Sequence, residues 1–192
     1  MQDAKARKAV QFRRPLLKGA FAVATTALVA VPAPGLAETF LRLGDIKGES
    51  TDAKHKDQID ILSFTQSFIN SADFSSGGGA GVGRVQCGPI TLMKNIDKSS
   101  PLLLKGVATG QHFKDAVISF QADRATEYYS ITASNVIVTE LTQTDAADPN
   151  RIFEKLVLNA AAFEFKYTPL NVKGSAGAPV SFRWDCASNK GG

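Results

Sequence analysis

The stretch SSPLLLKGVATGQHFKDAVISFQAD, residues 99–123, decides the class of fold because it joins one short helix to a strand. Ser100 suits the N-cap position of a helix, Pro101 suits its first turn, and Gly110 suits the residue just past its end. After the helix, apolar residues two apart share one face of an extended segment. The pattern therefore predicts a helix over residues 100–109 and a β-strand over residues 113–123.

Extended segments dominate the chain around this stretch. Residues 58–70 are apolar on both faces, which is typical of a strand that is covered on two sides. In residues 126–141 the apolar phase shifts near Ser134 and Asn135, which predicts a bulge or bend. The other predicted strands are 83–97, 162–168 and 180–186. Many strands, one helix and regular polar turns predict a mainly β fold, a small closed β-barrel of two packed antiparallel sheets with one short α-helix against it.

The two cysteines, Cys87 and Cys186, both fall on the apolar faces of predicted strands. One interpretation makes them small buried hydrophobic residues. The other pairs them in a disulfide that fastens the last predicted strand to the barrel and closes a loop of about 100 residues. The sequence leaves both interpretations open, because a disulfide requires Cα atoms within about 7 Å of each other.

The first 37 residues have the order of an export signal rather than that of a membrane span or a core helix. A basic segment precedes a 13-residue apolar run, which as a helix would reach about 20 Å against a hydrocarbon core of about 30 Å. Pro32 and Pro34 end any helix, and small residues then predict cleavage after Ala37. Residues 38–192 are expected to form one domain without a stable membrane span, located in the periplasm or secreted.

The basic segment also indicates an export route. Arg13 and Arg14 are followed by a large apolar residue and a lysine, which favours twin-arginine export and makes the export machinery a partner. An ordinary secretory signal and an uncleaved anchor remain the alternatives.

The charge of the chain lies mostly in this leader. The whole chain has 22 basic and 18 acidic residues, a net charge of +4. Residues 1–37 hold six of the basic and one of the acidic residues, so the remainder has a net charge of −1. A near-neutral domain has no electrostatic footprint for nucleic acid, which excludes nucleic acid as an expected partner.

The residue types that usually carry catalysis are sparse. The two histidines, His55 and His112, are not spaced as a metal-ligand pair. The chain has no G-x-S-x-G elbow and no defensible pair of catalytic carboxylates. We therefore expect no enzyme activity, no metal and no cofactor. A periplasmic enzyme on this fold remains a remote alternative, motivated only by the histidines, the cysteines and the loop glycines.

Three stretches together resemble the haemolysin-coregulated protein (Hcp) family, the tube protein of type VI secretion. Residues 43–64, LGDIKGESTDAKHKDQIDILSF, are similar to the N-terminal signature of the family. Residues 97–120, DKSSPLLLKGVATGQHFKDAVISF, are similar to its strand–helix–strand segment, and residues 166–185, KYTPLNVKGSAGAPVSFRWD, to its C-terminal strands.

The resemblance implies a small β-barrel that assembles as hexameric rings, which stack into a tube and carry small protein effectors inside. It implies no catalysis by the bare domain. Contacts between subunits or rings are expected in the loops 47–57 and 71–83 and on the helix 100–109. The residues that carry the family signature, and that are candidates for such contacts, are Gly48, Glu49, Ser50, Thr51, His55, Lys56, Ser100, Pro101 and His112.

The chain departs from the family in its leader and in its cysteine pair. A usual member has no export signal and is assembled from the cytoplasm. We therefore expect an exported, ring-forming tube subunit or effector carrier. The alternative is an ordinary tube subunit, assembled in the cytoplasm, whose start has been misread.

Overall fold

The computed structural model describes residues 38–70, 84–122, 126–145, 150–170 and 175–192. The predicted leader with Arg13, Arg14 and Ala37 lies outside these residues, and so does the predicted contact loop 71–83. Within the described ranges one helix and eleven strands are present, numbered in chain order. They are β1 Glu38–Leu43, β2 Ile59–Ile61, β3 Ser63–Thr65, β4 Phe68–Asn70, β5 Val85–Cys87, β6 Ile90–Asn95, α1 Ser100–Thr109, β7 His112–Ala122, β8 Thr126–Thr144, β9 Phe153–Tyr167, β10 Val180–Asp185 and β11 Lys190–Gly191.

The strands form two antiparallel sheets, one of nine strands and one of two. The main path of the large sheet runs in the order β11-β10-β9-β8-β7-β1-β2, and β6 joins it by pairing with both β9 and β3. The small sheet consists of β4 and β5 alone. The predicted mainly β class with one short helix is therefore confirmed.

The predicted closed barrel needs a correction at Leu62. β2 pairs with β1, β3 pairs with β6, and these two short strands lie on either side of Leu62. The chain thus changes pairing partner at Leu62, with the three residues of β2 paired to β1 and the three residues of β3 paired to β6. Leu62 itself donates its N–H to the carbonyl of Met93 over 2.7 Å. In the described part of the chain, no continuous ladder closes the sheet on itself.

The core lies on the inner face of the large sheet and under the helix. Leu103 of α1 is fully buried, and the ring of Phe113 packs beside Gly106 of the helix. The fully buried apolar side chains of the strands include Leu41, Leu43, Ile59, Ile90, Leu92, Ile118, Leu156 and Leu158. These residues come from five strands, so the core holds together elements that are distant in sequence.

The helix has its predicted length and end. α1 spans Ser100–Thr109, and Gly110 follows it with a φ of 62°, the left-handed conformation that favours glycine. The beginning differs from the prediction, because Ser99 occupies the N-cap position and makes no side-chain cap bond. Ser100 is instead the first helical residue, and its hydroxyl points into a buried polar cluster.

The strand prediction for residues 58–70 needs correction, whereas the bend predicted near Ser134 and Asn135 is present. The segment 58–70 is divided into β2, β3 and β4 instead of forming one covered strand, and Leu62 and Ile69 are more than half exposed. In β8, Asn135 has a φ of 52°, which accounts for the phase shift between Ala133 and Val136. The register shift between β8 and β9 lies further along, after Val138, instead of at the predicted position.

Candidate functional site

The loop between β1 and β2 is held by its own backbone. The N–H of Gly48 donates to the Asp57 carbonyl over 2.8 Å, and the N–H groups of Ser50 and Asp57 make two further bonds of 3.0 Å across the loop. A Cβ atom at Gly48 would lie 2.3 Å from the carbonyl oxygen of Gln58, so only glycine fits at this position. Gly48 therefore sets the path of the predicted contact loop.

His55 fastens this loop to β1. Its ring stacks on Phe40 with centroids 4.4 Å apart and an interplanar angle of 11°. Its Nδ1 lies 3.2 Å from Oε1 of Gln58, while its buried Nε2 has no partner among the described residues. The imidazole is 6% exposed, so its position suits packing rather than contact with a dissolved substrate.

A cleft of about 740 Å³ opens beside the loop at the start of β1. Its charged lining consists of the carboxylates Glu38, Asp52 and Asp60. The N–H groups of Lys54 and His55 both donate to Oδ1 of Asp52. The bond from Lys54 is the largest cause that lowers the pKa of Asp52 below its usual value, and together the bonds outweigh the opposite effect of burial. Desolvation raises the pKa of Asp60, and neighbouring carboxylates raise it further. The pKa values of these two carboxyl groups are thus shifted in opposite directions.

A second cleft of about 580 Å³ lies at the other end of β1. The first cleft is lined by Glu38 to Phe40, and the second is lined by Arg42 and the turn that follows β1, so they open toward opposite ends of the strand. At about 3.3 Å per residue, Phe40 and Arg42 are roughly 7 Å apart along the strand. The charged residues lining the second cleft are mostly basic, with Arg42, Lys105 and Lys114 against Asp45 and Asp115, and Arg42 forms an ion pair with Asp115 over 2.9 Å.

A fully buried ion pair lies beneath the start of α1. The Nζ of Lys94 on β6 is 2.6 Å from Oε2 of Glu154 on β9, 2.9 Å from Oδ1 of Asp97 and 3.0 Å from Oγ of Ser100. Three acceptors match the three donors of an ammonium group. Glu154 also accepts a bond from the hydroxyl of Ser100 and one from Gln143. The cluster therefore ties two strands to the first turn of the helix.

Cys87 and Cys186 form a disulfide across 99 positions of sequence, with Cα atoms 6.1 Å apart. The structure thus has the bridge that the sequence analysis held open beside the buried-thiol interpretation. For a loop of this length the chain-entropy model gives about 4.7 kcal/mol of stabilisation. The bridge connects the small sheet to the residue that follows β10.

The described residues contain no group of three or more His, Cys, Asp or Glu side chains placed to hold a metal ion. Within the same ranges no helix is long and apolar enough to cross a bilayer.

Comparison with known proteins identifies the architecture. The family model described as "Type VI secretion system effector, Hcp" matches residues 40–168, more than half of the chain. The chain belongs to the Hcp family. Its relative protein hcp1 of Pseudomonas aeruginosa is 31% identical over 156 residues, which cover 79% of this chain and 96% of that protein.

Solved structures agree with this membership. One described as a type six secretion system protein has 25% identity and a TM-score of 0.77, covering 82% of this chain and 100% of that chain. Hcp1 from Salmonella typhimurium has 26% identity and a TM-score of 0.68, covering 81% of this chain and 98% of that chain. The resemblance drawn from the sequence to the Hcp family is therefore confirmed.

The residues that the resemblance to the Hcp family singled out fall into two groups in the structure. Gly48, Ser50, His55 and Ser100 are structural, because they shape the loop or lie in the buried cluster. The exposed members are Glu49, Thr51, Lys56, Pro101 and His112. Oε1 of Glu49 accepts the N–H of Lys98 over 3.1 Å, which connects the loop to the residues before α1. The signature therefore combines residues that build this end of the domain with residues that remain open to contact.

The sequence analysis missed the pair Lys94 and Glu154. Each is a charged residue on the buried face of its strand, Lys94 in phase with Leu92 and Glu154 in phase with Leu156. That phase is a usable signal for one buried charge. It does not identify the partner, which lies 60 positions away on another strand.

Proposed function

We propose that residues 38–192 form hexameric rings that act as tube subunits or effector carriers of type VI secretion, after export directed by residues 1–37. The observation that carries the proposal is an apolar, exposed strand edge on a domain of the Hcp family. Membership of the Hcp family supports a role in type VI secretion. The exposed apolar strand edge supports self-assembly.

The edge belongs to β10. β11 pairs with Trp184 and Asp185 only, so Val180 to Phe182 have no ladder partner on that side among the described residues. Val180 is 66% exposed and Phe182 is 50% exposed. An exposed apolar edge is a template for pairing with another chain. Contact with a neighbouring subunit would satisfy its backbone and remove its side chains from water.

The helix and the signature loop provide further contact surface. Leu102 and Leu104 of α1 are about half exposed, although the helix buries Leu103 in the core. In the loop, Thr51 and Lys56 are exposed while His55 beneath them is fixed. Rigid loops with exposed tips support specific contacts because little ordering remains to be done on binding. We assign these residues to subunit or ring contacts.

The two clefts support stacking of rings in one direction. An acidic cleft lies at one end of β1 and a mostly basic cleft at the other. A head-to-tail contact brings unlike surfaces of two copies together. Opposite charges at the two ends favour that orientation and disfavour the reverse one.

The proposed role is non-enzymatic and requires no cofactor. His55 is stacked and buried, and both cysteines are consumed in the disulfide. These placements support the non-enzymatic role over catalysis by His55 or by either cysteine. Effectors are proposed as small proteins held inside the ring.

The mass of the assembled domain tests the proposal. Residues 38–192, oxidised, should sediment as a hexamer, and native mass spectrometry should count six copies. Phe182→Asp should shift the protein toward monomer, because it places a charge on the apolar edge. Ser181→Asp is the matched control, since it adds the same charge on the opposite face of the same strand. A chain that stays monomeric at high concentration, both oxidised and reduced, would refute ring formation.

The export step is tested separately by fractionating the native host and determining the N-terminus by mass spectrometry. A periplasmic species that begins at Glu38 is expected. A cytoplasmic species that begins near Thr39, with no longer precursor detectable, would replace export by the misread-start alternative.

A further inference from the structure

The small sheet depends on contacts outside its own ladder. β4 and β5 contribute three residues each, and their pairing runs from Phe68 with Cys87 to Asn70 with Val85. A two-stranded sheet of this size is at best marginally stable in water. One end of it is fixed by the two-residue connections to β3 and β6, which pair with each other, and the position of the rest depends on the groups that attach it.

Three attachments converge on the turn after β10. Cys87 is bonded to Cys186, the guanidinium of Arg84 donates to the carbonyl of Ala187 over 3.0 Å, and the N–H of Val85 donates to Oδ1 of Asn189 over 3.0 Å. One of the three is covalent, and the other two depend on the same alignment of strand and turn. The disulfide is therefore the attachment whose state can be changed by redox chemistry alone.

The small sheet covers aromatic side chains of β9. The ring of Phe68 lies edge-on to those of Phe163 and Phe165, with centroids 5.4 Å away in both cases. Phe163 is 2% exposed. Moving the sheet away would uncover a pair of aromatic rings beside β10.

We propose that the Cys87–Cys186 disulfide is a redox-controlled latch that seats the small sheet on β9 and β10, and that the latched form is the one that self-assembles. Closing the latch joins the two sulfurs and releases two protons. The two electrons pass to a disulfide-bearing oxidant, which becomes a dithiol. Compartments outside the bacterial cytoplasm support this reaction, whereas the cytoplasm keeps thiols reduced.

The link to assembly rests on the proposed function. Cys186 directly follows β10, and Phe182 of that strand stacks with Trp184 at a centroid distance of 6.1 Å. The latch therefore holds the C-terminal end of the strand whose N-terminal half is proposed to meet the neighbouring subunit. With reduced thiols no covalent bond holds β10 and the small sheet together, so the chain stays unassembled in the cytoplasm and becomes competent after export.

Hydrogen exchange of residues 38–192 tests the latch without relying on assembly. Amides of β4 and β5 and of residues 186–189 should exchange about tenfold faster or more after reduction, while those of Leu156 to Leu158 in the core stay protected. Cys87→Ala/Cys186→Ala should show the faster pattern and ignore the reductant. Arg84→Ala is the matched control, since it removes one non-covalent attachment and should keep the slow pattern when oxidised. Reduction of the native chain under native conditions provides the same comparison if the double variant does not fold.

The outcomes separate the latch from the proposed function. Unchanged exchange at β5, or equal acceleration throughout the domain, would overturn the latch. Local acceleration with hexamers in both redox states would overturn its control of assembly and leave ring formation intact. Monomers in both states would overturn ring formation instead. Local acceleration together with loss of hexamers on reduction is the expected result.

Discussion

The ammonium of Lys94 lies 2.6 Å from a carboxylate oxygen of Glu154, and both side chains are completely buried. The pair connects β6 to β9 at a point where the strands are already hydrogen-bonded, Lys94 standing opposite Glu154 in the register. A buried charge without its partner is far more costly than the intact pair is favourable.

Lys94→Met should therefore lower the free energy of unfolding by about 3–5 kcal/mol, because Glu154 keeps a buried charge with no counterion. Urea unfolding of residues 38–192 measures the change. Lys155→Met is the control, since its ion pair with Glu140 is largely exposed and its loss should cost far less. The combined Lys94→Met/Glu154→Leu variant should recover part of the loss, and a double variant as unstable as the sum of its singles would contradict this account.

The two histidines should respond differently to truncation. His55→Ala removes a stacked aromatic pair and opens a cavity under the signature loop, so we expect a loss of about 1–3 kcal/mol in the free energy of unfolding. His112→Ala should have a much smaller effect, because His112 is exposed. The hydrogen bond that it would lose, between its Nδ1 and Oδ1 of Asn135, is exposed as well. Thermal unfolding of the two variants at equal pH checks the contrast. Equal losses would show that stacking on Phe40 does not hold the loop.

The cleft acids predict opposite dependences of stability on pH. The pKa of Asp52 is lowered on folding, so its ionised form stabilises the domain above the unfolded value of 3.8, and this contribution is lost as the pH falls through the folded pKa. The pKa of Asp60 is raised on folding, so its ionised form destabilises the domain at neutral pH, and the penalty fades as the pH falls through the folded pKa toward 3.8 and below.

Asp60→Asn should consequently raise the melting temperature at pH 7, and Asp52→Asn should lower it. Both differences should shrink in acid, where the native carboxyls are protonated as well. Calorimetry between about pH 3 and pH 7 measures both variants across the relevant range. Shifts of the same sign at pH 7 would contradict the assignment.

Ring stacking should depend on the charges at the two ends of β1. Lys114→Glu in the mostly basic cleft should reduce the length of tubes seen by electron microscopy, and high salt should shorten tubes of the native domain. Asp60→Lys should do the same from the acidic end. A mixture of the two single variants should restore alternating contacts if these clefts meet; no restoration would place the stacking contact elsewhere.

Local chemistry explains what the sequence predicted well. Pro101 and Gly110 fix the helix through backbone conformation alone, and both ends of α1 lie within one residue of the prediction. The prediction that Ser100 is the N-cap was wrong because its hydroxyl binds Lys94 and Glu154 instead. No local sequence pattern reveals these two partners. The cap preference of serine was outweighed by a partner on a distant strand.

The longer strands show where periodicity loses its meaning. Only residues 162–168 of β9 were predicted, yet the strand begins at Phe153. Its first half buries Leu156, Val157 and Leu158 in succession, so alternation disappears. For residues 58–70 the pattern predicted more burial than the structure has. Its apolar run includes side chains such as Ile69 that are exposed in a single copy of the domain. A sequence does not distinguish a side chain that a core covers from one that a neighbouring subunit would cover.

The change of partner at Leu62 has a consequence for how this domain can vary in length. One residue separates the strand that belongs to β1 from the strand that belongs to β6. An insertion or deletion there would turn every side chain of one strand to its opposite face, because the side-chain period of a strand is two. Substitution costs little at this exposed side chain, whereas a change of chain length disrupts both registers at once. Length variation should therefore be tolerated in the polar loops and eliminated at this single position.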